Sequence, residues 1–315
     1  MTRLRVLCLH GMGANSRIFK EQFCKLTIIP IPKILENNVS PEPTAPVRSL
    51  LSSEYIFTFL DGLETCTPPS EISDFYAGPY LCWYKSPCAH KVAQAHKRIL
   101  AFMRSEGPFD VILGFSQGAS IAASLLVHHQ LDNPPSTPPL FRAAIFICSP
   151  LPFSRCLSYG YNTRGYFGLR ATIKGVESRP AKVPDYLIPQ DNEYFDYFLK
   201  PEIGHWPESD SSTEEDDDDY DNQDRFCSTV HKGCRKLGVT LYYQMFHASV
   251  DDVQIPIPTA HIYGRSDPWR PHSVDLIGLC DIGKVRTYQH DGGHEIPRDE
   301  SEEICDTIES TLSTL

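Results

Sequence analysis

The pentapeptide Gly114-Phe115-Ser116-Gln117-Gly118 constrains this chain more than any other feature. An apolar run, Val111-Ile112-Leu113, precedes it, and a small-residue stretch of helical character, Ala119 to Ser124, follows. Strand, sharp turn carrying a serine, then helix is the setting of a nucleophile elbow. Gly114 and Gly118 are the elbow positions where a Cβ would crowd the turn. The Ser116 hydroxyl then stands at the C-terminal end of a sheet, above a helix N-terminus that favours developing negative charge. A serine in an ordinary turn is the bland alternative, since Gly-x-Ser-x-Gly also arises by chance.

The parts that would activate such a serine follow downstream. Thr259-Ala260-His261-Ile262-Tyr263-Gly264 reads as a buried strand and leads into Arg265-Ser266-Asp267. Val285-Arg286-Thr287-Tyr288 reads as another and leads into Gln289-His290-Asp291-Gly292-Gly293-His294. Asp267 and His294 are thus expected on the same rim as Ser116, in the order serine, acid, histidine of α/β-hydrolases. The paired glycines read as a flexible turn that brings His294 over the serine. His290 lies too close to the strand end to be the base, and Asp251 and Asp252 precede their strand instead of following it. Neutral imidazole takes the serine proton during attack, and a carboxylate holds its tautomer. The oxyanion hole is expected from the backbone N–H of Gln117 and that of Met12. Met12 lies in His10-Gly11-Met12-Gly13-Ala14-Asn15, after the first strand.

At these residues the chain resembles the fungal serine hydrolase (FSH) family of the α/β-hydrolases. The likeness is carried by Leu9-His10-Gly11, Phe57-Thr58-Phe59-Leu60-Asp61-Gly62, Ala77-Gly78-Pro79-Tyr80 and Gly107-Pro108-Phe109-Asp110. His261-Ile262-Tyr263-Gly264 with Asp267, and Gly293-His294-Glu295-Ile296-Pro297, extend it to the C-terminal part. Where the family usually reads Asp-Gly-Pro, this chain has Asp61-Gly62-Leu63. The resemblance implies the triad Ser116, Asp267 and His294 and no metal or organic cofactor. It also implies a small-molecule acyl substrate, presented on an acyl carrier protein of a polyketide synthase where chain release is the role. Many members resemble trans-acting hydrolases that free a polyketide chain from its synthase; others are plain carboxylesterases.

Continuous apolar runs at Leu4–Leu9, Tyr55–Leu60, Val111–Phe115, 143–148, 259–263 and 285–288 predict a mostly parallel sheet with helices on both faces. Val92, Ala95, Ile99 and Phe102 recur at helical spacing, as do Ile304, Ile308 and Leu312. The expectation is one α/β-hydrolase domain over 1–315, with residues 153–255 inserted as a cap. That cap is rich in aromatics, of which Phe195 and Phe198 are candidate pocket residues with Tyr80, Trp83 and Leu151.

Residues 208–224 hold ten acidic side chains and no Lys or Arg, and removing them from the net charge of −11 leaves −1. The run reads as a solvated, disordered loop. The remainder is not basic enough for nucleic acid, and no segment approaches the roughly 20 apolar residues of a membrane span. Eleven scattered cysteines without a Cys-x-x-Cys pair read as free thiols in a reducing cytoplasm. No signal peptide is expected ahead of the first strand. A thioesterase, a carboxylesterase on a finished ester or lactone, and a cyclase share these parts, so the sequence leaves all three open. A non-catalytic binding module would instead be expected to break the set.

Overall fold

The computed structural model describes residues 3–24, 51, 55–85, 87–156, 158–162, 244–297 and 299–315. Six strands make the central sheet: β1 (Leu4–Leu9), β2 (Tyr55–Leu60), β3 (Val111–Phe115), β4 (Ala143–Ile147), β5 (Thr259–Gly264) and β6 (Val285–His290). Their spatial order is β6-β5-β4-β3-β1-β2, and every neighbouring pair is parallel. Parallel strands need crossovers, which put helices on both faces and bury the strands on both sides. That is why β3 and β4 are apolar without alternation.

The period-two alternation of each strand separates two cores. Leu7, Leu9, Ile112, Ala144 and Phe146 face α2 (Ala89–Glu106), α3 (Gln117–Asp132) and α4 (Arg270–Ile277). Val6, Cys8, Val111, Leu113, Ile145 and Ile147 face α1 (Ser16–Cys24) and α5 (Ser301–Leu312). The helices follow the expected stripes: Val92, Ala95 and Ile99 of α2 are buried, as are Ile304, Ile308 and Leu312 of α5. Helix α3 has no polar face in its first three turns, and every residue from Gly118 to His128 is buried. It is a core helix, which explains its run of small and apolar residues.

Two boundaries differ from the sequence reading. β4 stops at Ile147, because Cys148 turns to φ 49°. β6 continues through His290, whose side chain is fully buried in the sheet. Strands of two residues were also missed. Glu64–Thr65 pairs antiparallel with Leu81–Cys82. Gln244–Met245 lies between Phe153–Ser154 and Tyr161–Asn162 in a small antiparallel sheet. The expected cap and its acidic segment fall largely on residues 163–243, outside the described residues. Among the described residues no helix is long and apolar enough to cross a membrane.

Strand β1 lies one in from the edge of the sheet; the chain steps from β1 to the edge strand β2, then reverses to fill the other side from β3 onward. The reversal lies between β1 and β3, which pair directly, Leu9 opposite Gly114. In open parallel sheets a ligand crevice opens beyond the strands' C-terminal ends at this kind of switch point. The loops leaving β1 and β3 there are 10–15 and the Ser116 turn.

Candidate active site

Ser116 occupies φ 53°, ψ −122°, a backbone region rarely adopted by side-chain-bearing residues, and caps the N-terminus of α3. The glycines on either side allow close approach; neither has a positive φ. A Cβ on Gly118 would stand 2.1 Å from the Leu9 carbonyl oxygen, and one on Gly114 2.4 Å from the Ala119 backbone. The turn therefore packs directly on β1 and on its own helix. The Ser116 amide donates to the Ile147 carbonyl at 2.9 Å, tying the turn to β4.

Asp267 and His294 enter from the loops after β5 and β6. His294 Nε2 lies 2.8 Å from Ser116 Oγ, and its Nδ1 lies 3.0 Å from both carboxylate oxygens of Asp267. A carboxylate only accepts, so Nδ1 carries the proton and Nε2 is left to accept from the serine hydroxyl. Asp267 also accepts from the Trp269 amide at 2.8 Å, and its side chain has no solvent exposure. The loop carrying His294 is not the free swinging turn that Gly-Gly suggests. Arg265 and Ser266 donate their amides to the His290 and Gly292 carbonyls, at 2.8 and 3.0 Å. A Cβ on Gly264 would stand 2.1 Å from the Gly293 oxygen, so the end of β5 holds this loop in close contact.

The competitors sit elsewhere. His290 is buried with Nε2 4.0 Å from Cys148 Sγ. Asp251 accepts from the Gly160 and His247 amides, at 2.8 and 3.0 Å, which gives it a structural task in the insertion's root.

Met12 and Gln117 bring their amides to the same rim, and neither donates to another group among the described residues. The loop bearing Met12 is held by residues that the sequence did not single out for this task. His10 Nε2 accepts from the Gly62 amide at 2.8 Å, and its Nδ1 therefore donates to the Gly11 carbonyl at 2.7 Å. Burial pulls the His10 pKa down, which keeps this single neutral tautomer. Trp83 stacks on the His10 ring and donates Nε1–H to the His10 carbonyl at 2.9 Å. The Gln117 side chain clamps the next stretch, accepting from the Trp83 amide and donating to the Tyr84 carbonyl, both at 2.8 Å. A buried His after a strand, followed by glycines, was the only sequence signal for this network.

The pocket assignments need correction at two positions. Trp83 and Leu151 are fully buried, so neither lines water-accessible space. Trp83 supports the His10 loop, and Leu151 belongs to the core beneath α3. Tyr80 is exposed in part and donates its hydroxyl to the Tyr76 carbonyl at 2.6 Å. Phe195 and Phe198 lie outside the described residues. Leu63, standing where the resembled family has proline, is exposed, while Asp61 accepts from the Ser16 amide at 2.7 Å.

Among the described residues one group of three potential metal ligands occurs, Cys148, Asp267 and His294, with ligand atoms within 4.8 Å of one another. Burial and the adjacent Asp267 charge push the Cys148 thiol well up, which favours the protonated, non-ligating form.

A parallel sheet with this strand order and with serine, acid and histidine loops on one rim defines an α/β-hydrolase of the serine hydrolase class. The family described as Serine hydrolase (FSH1) matches residues 1–304, and the chain belongs to that family. It is 27% identical to "Esterase alnB" of Emericella nidulans, over 93% of this chain and 90% of the relative. It is also 27% identical to "Hydrolase FUB4" of Gibberella moniliformis, over 99% and 98%. Identity to "Esterase FPY3" of Fusarium mangiferae is 26%, over 96% and 93%. The protein is a serine hydrolase.

Proposed function

We propose that Ser116, His294 and Asp267 are the catalytic triad, and that the enzyme cleaves an acyl thioester or ester through an acyl-Ser116 intermediate. Ser116 Oγ attacks the acyl carbonyl while its proton passes to His294 Nε2. Asp267 stabilises the imidazolium through the Nδ1–H bond and stays ionised. The amides of Met12 and Gln117 donate to the oxyanion of the tetrahedral intermediate; one such donor contributes about 3–4 kcal/mol to the transition state. The intermediate collapses as His294 returns the proton to the leaving thiolate or alkoxide. Water, deprotonated by the same nitrogen, then releases the acid and restores Ser116. The observation that carries the reading is the unbroken bond chain from Ser116 Oγ through His294 to Asp267.

Within that chemistry we propose release of a polyketide or fatty acyl chain from its thioester, with the acyl group presented by a carrier protein. The family resemblance supports this, and thiolate is a leaving group that needs little assistance. The word esterase in two of the relatives' names favours a second reading, hydrolysis of a finished oxygen ester or lactone. Matched thioesters and oxygen esters across chain lengths separate the two, with S116A as the blank. Preference for long or β-keto thioesters supports chain release. Turnover of short oxygen esters alone assigns a carboxylesterase, and silence on both series removes the hydrolytic reading in favour of cyclisation.

A further inference from the structure

The two-residue hairpin beside the site brings two cysteines together. Glu64 stands opposite Cys82, Thr65 opposite Leu81, and the Cys66 amide donates to the Tyr80 carbonyl at 3.0 Å. Cross-strand partners share a face and side chains alternate, so Cys66 and Cys82 project to the same side as diagonal neighbours. Hydrogen bonding from the Cys82 thiol draws the Cys66 pKa down, against burial and with help from the Gly13 backbone and Lys85. The same bond, then burial, pushes Cys82 up. Both thiols are free; Cys66 is half-buried and within reach of solvent, and Cys82 is fully buried behind it.

Both sequence neighbours of Cys82 are bonded to the proposed oxyanion loop or to the elbow. Leu81 accepts from the Gly13 amide at 3.0 Å and donates to the Ala14 carbonyl at 2.7 Å. Trp83 is held by Gln117 and by the His10 carbonyl. Diagonal positions in an antiparallel pair have Cα atoms about 7–8 Å apart, beyond the roughly 5.5–6 Å that a disulfide prefers. Closing an S–S bond would therefore draw the strands together, and the loop bonded to them would move.

We propose that Cys66 and Cys82 form a reversible disulfide that lowers hydrolase activity by displacing the Gly11–Ala14 loop. The effect on activity rests on the Ser116 reading. The oxidant is a low-molecular-weight disulfide. Cys66 thiolate attacks one of its sulfurs, giving a mixed disulfide and releasing one thiolate. Cys82 then gives up its proton and attacks the Cys66 sulfur, releasing the second. Two protein thiols are oxidised by two electrons and one external disulfide is reduced to two thiols.

The test treats the full-length protein with excess glutathione disulfide and maps peptides by mass without reduction, in parallel with ester turnover. The expected result is a Cys66–Cys82 linked peptide, a fall in kcat of tenfold or more, and recovery with dithiothreitol. C66S and, separately, C82A should show neither the linked peptide nor the reversible loss. Absence of that peptide overturns the proposal, as does a linked protein with unchanged kcat, or an equal loss in C66S. The linked peptide is scored without activity. A failure of the Ser116 reading would show differently, as reduced protein inert towards every ester and towards a fluorophosphonate.

Discussion

His10 Nε2 accepts the Gly62 amide proton at 2.8 Å, so a histidine at the end of β1 is bonded to the turn that follows β2. Its other nitrogen fixes the Gly11 carbonyl, one residue before the Met12 amide. H10F removes both bonds: the half-buried Gly62 amide loses its partner and the Gly11 carbonyl keeps only the Ala14 amide at 3.4 Å; a buried group left unpaired costs about 1–3 kcal/mol. The expected outcome is a kcat reduced about 10–100-fold with KM changed less, and a lowered melting temperature. Wild-type kcat in H10F would mean that the loop is held without this imidazole.

S116A removes the proposed nucleophile and nothing from the core. Turnover should fall by at least about 10³-fold, while the thermal melt stays within a few degrees of wild type. An active, homogeneous S116A preparation would refute the assignment of Ser116 as nucleophile.

D267N keeps the shape and loses the charge that holds the Nδ1–H tautomer. It should retain about 10–100-fold more activity than S116A, because the proposed nucleophile and oxyanion donors remain. Equality with wild type would direct the search to another acid.

G264A tests the contact that seats the histidine loop. The new Cβ would meet the Gly293 and Gly292 oxygens at 2.1 and 2.5 Å, so the backbone must give way. A displacement of about 1 Å at a reacting group can cost about 10²-fold in rate. Steady-state kinetics on G264A should show that loss in kcat, and an unaltered kcat would show that the loop is seated by other contacts.

Acid should unfold the protein through its buried imidazoles. Burial pulls His261 and His272 down to about 3, with nearby carboxylates partly opposing it at His272. Their folded pKa values lie below the unfolded value of about 6.5, so the unfolded chain binds more protons between pH 6.5 and 3. The stability they contribute is complete above pH 6.5 and is lost as pH falls. At pH 5 each accounts for about 2 kcal/mol relative to pH 7.5. Urea melts at both pH values should show the decline, and H261Q should have the shallower slope; identical slopes would exclude His261 as a source.

The legible parts of this fold were those with strong local signals. The strand–Ser–helix pattern at 111–124 and the apolar runs before Asp267 and His294 put three residues on one rim, and those strands do end there. The stripes of α2 and α5 were equally readable. What stayed hidden depends on pairs far apart in sequence. A two-residue strand has no period to detect, so neither Glu64–Thr65 with Leu81–Cys82 nor the sheet around Gln244 was visible. Trp83 was read as a pocket residue because an aromatic near Gly-Pro suggests one; only its bond to His10, 73 positions away, reveals it as a support. The Gly-Gly turn looked flexible because composition reports freedom, whereas the carbonyl contacts at Gly264 remove it.

The sheet in which Gln244–Met245 lies between Phe153–Ser154 and Tyr161–Asn162 brings the two ends of a long excursion to one place. Doubling the chain between such fixed ends costs only about 0.6 kcal/mol of closure entropy. Such an excursion can be lengthened, shortened or exchanged while the six-stranded sheet and the serine turn keep their register.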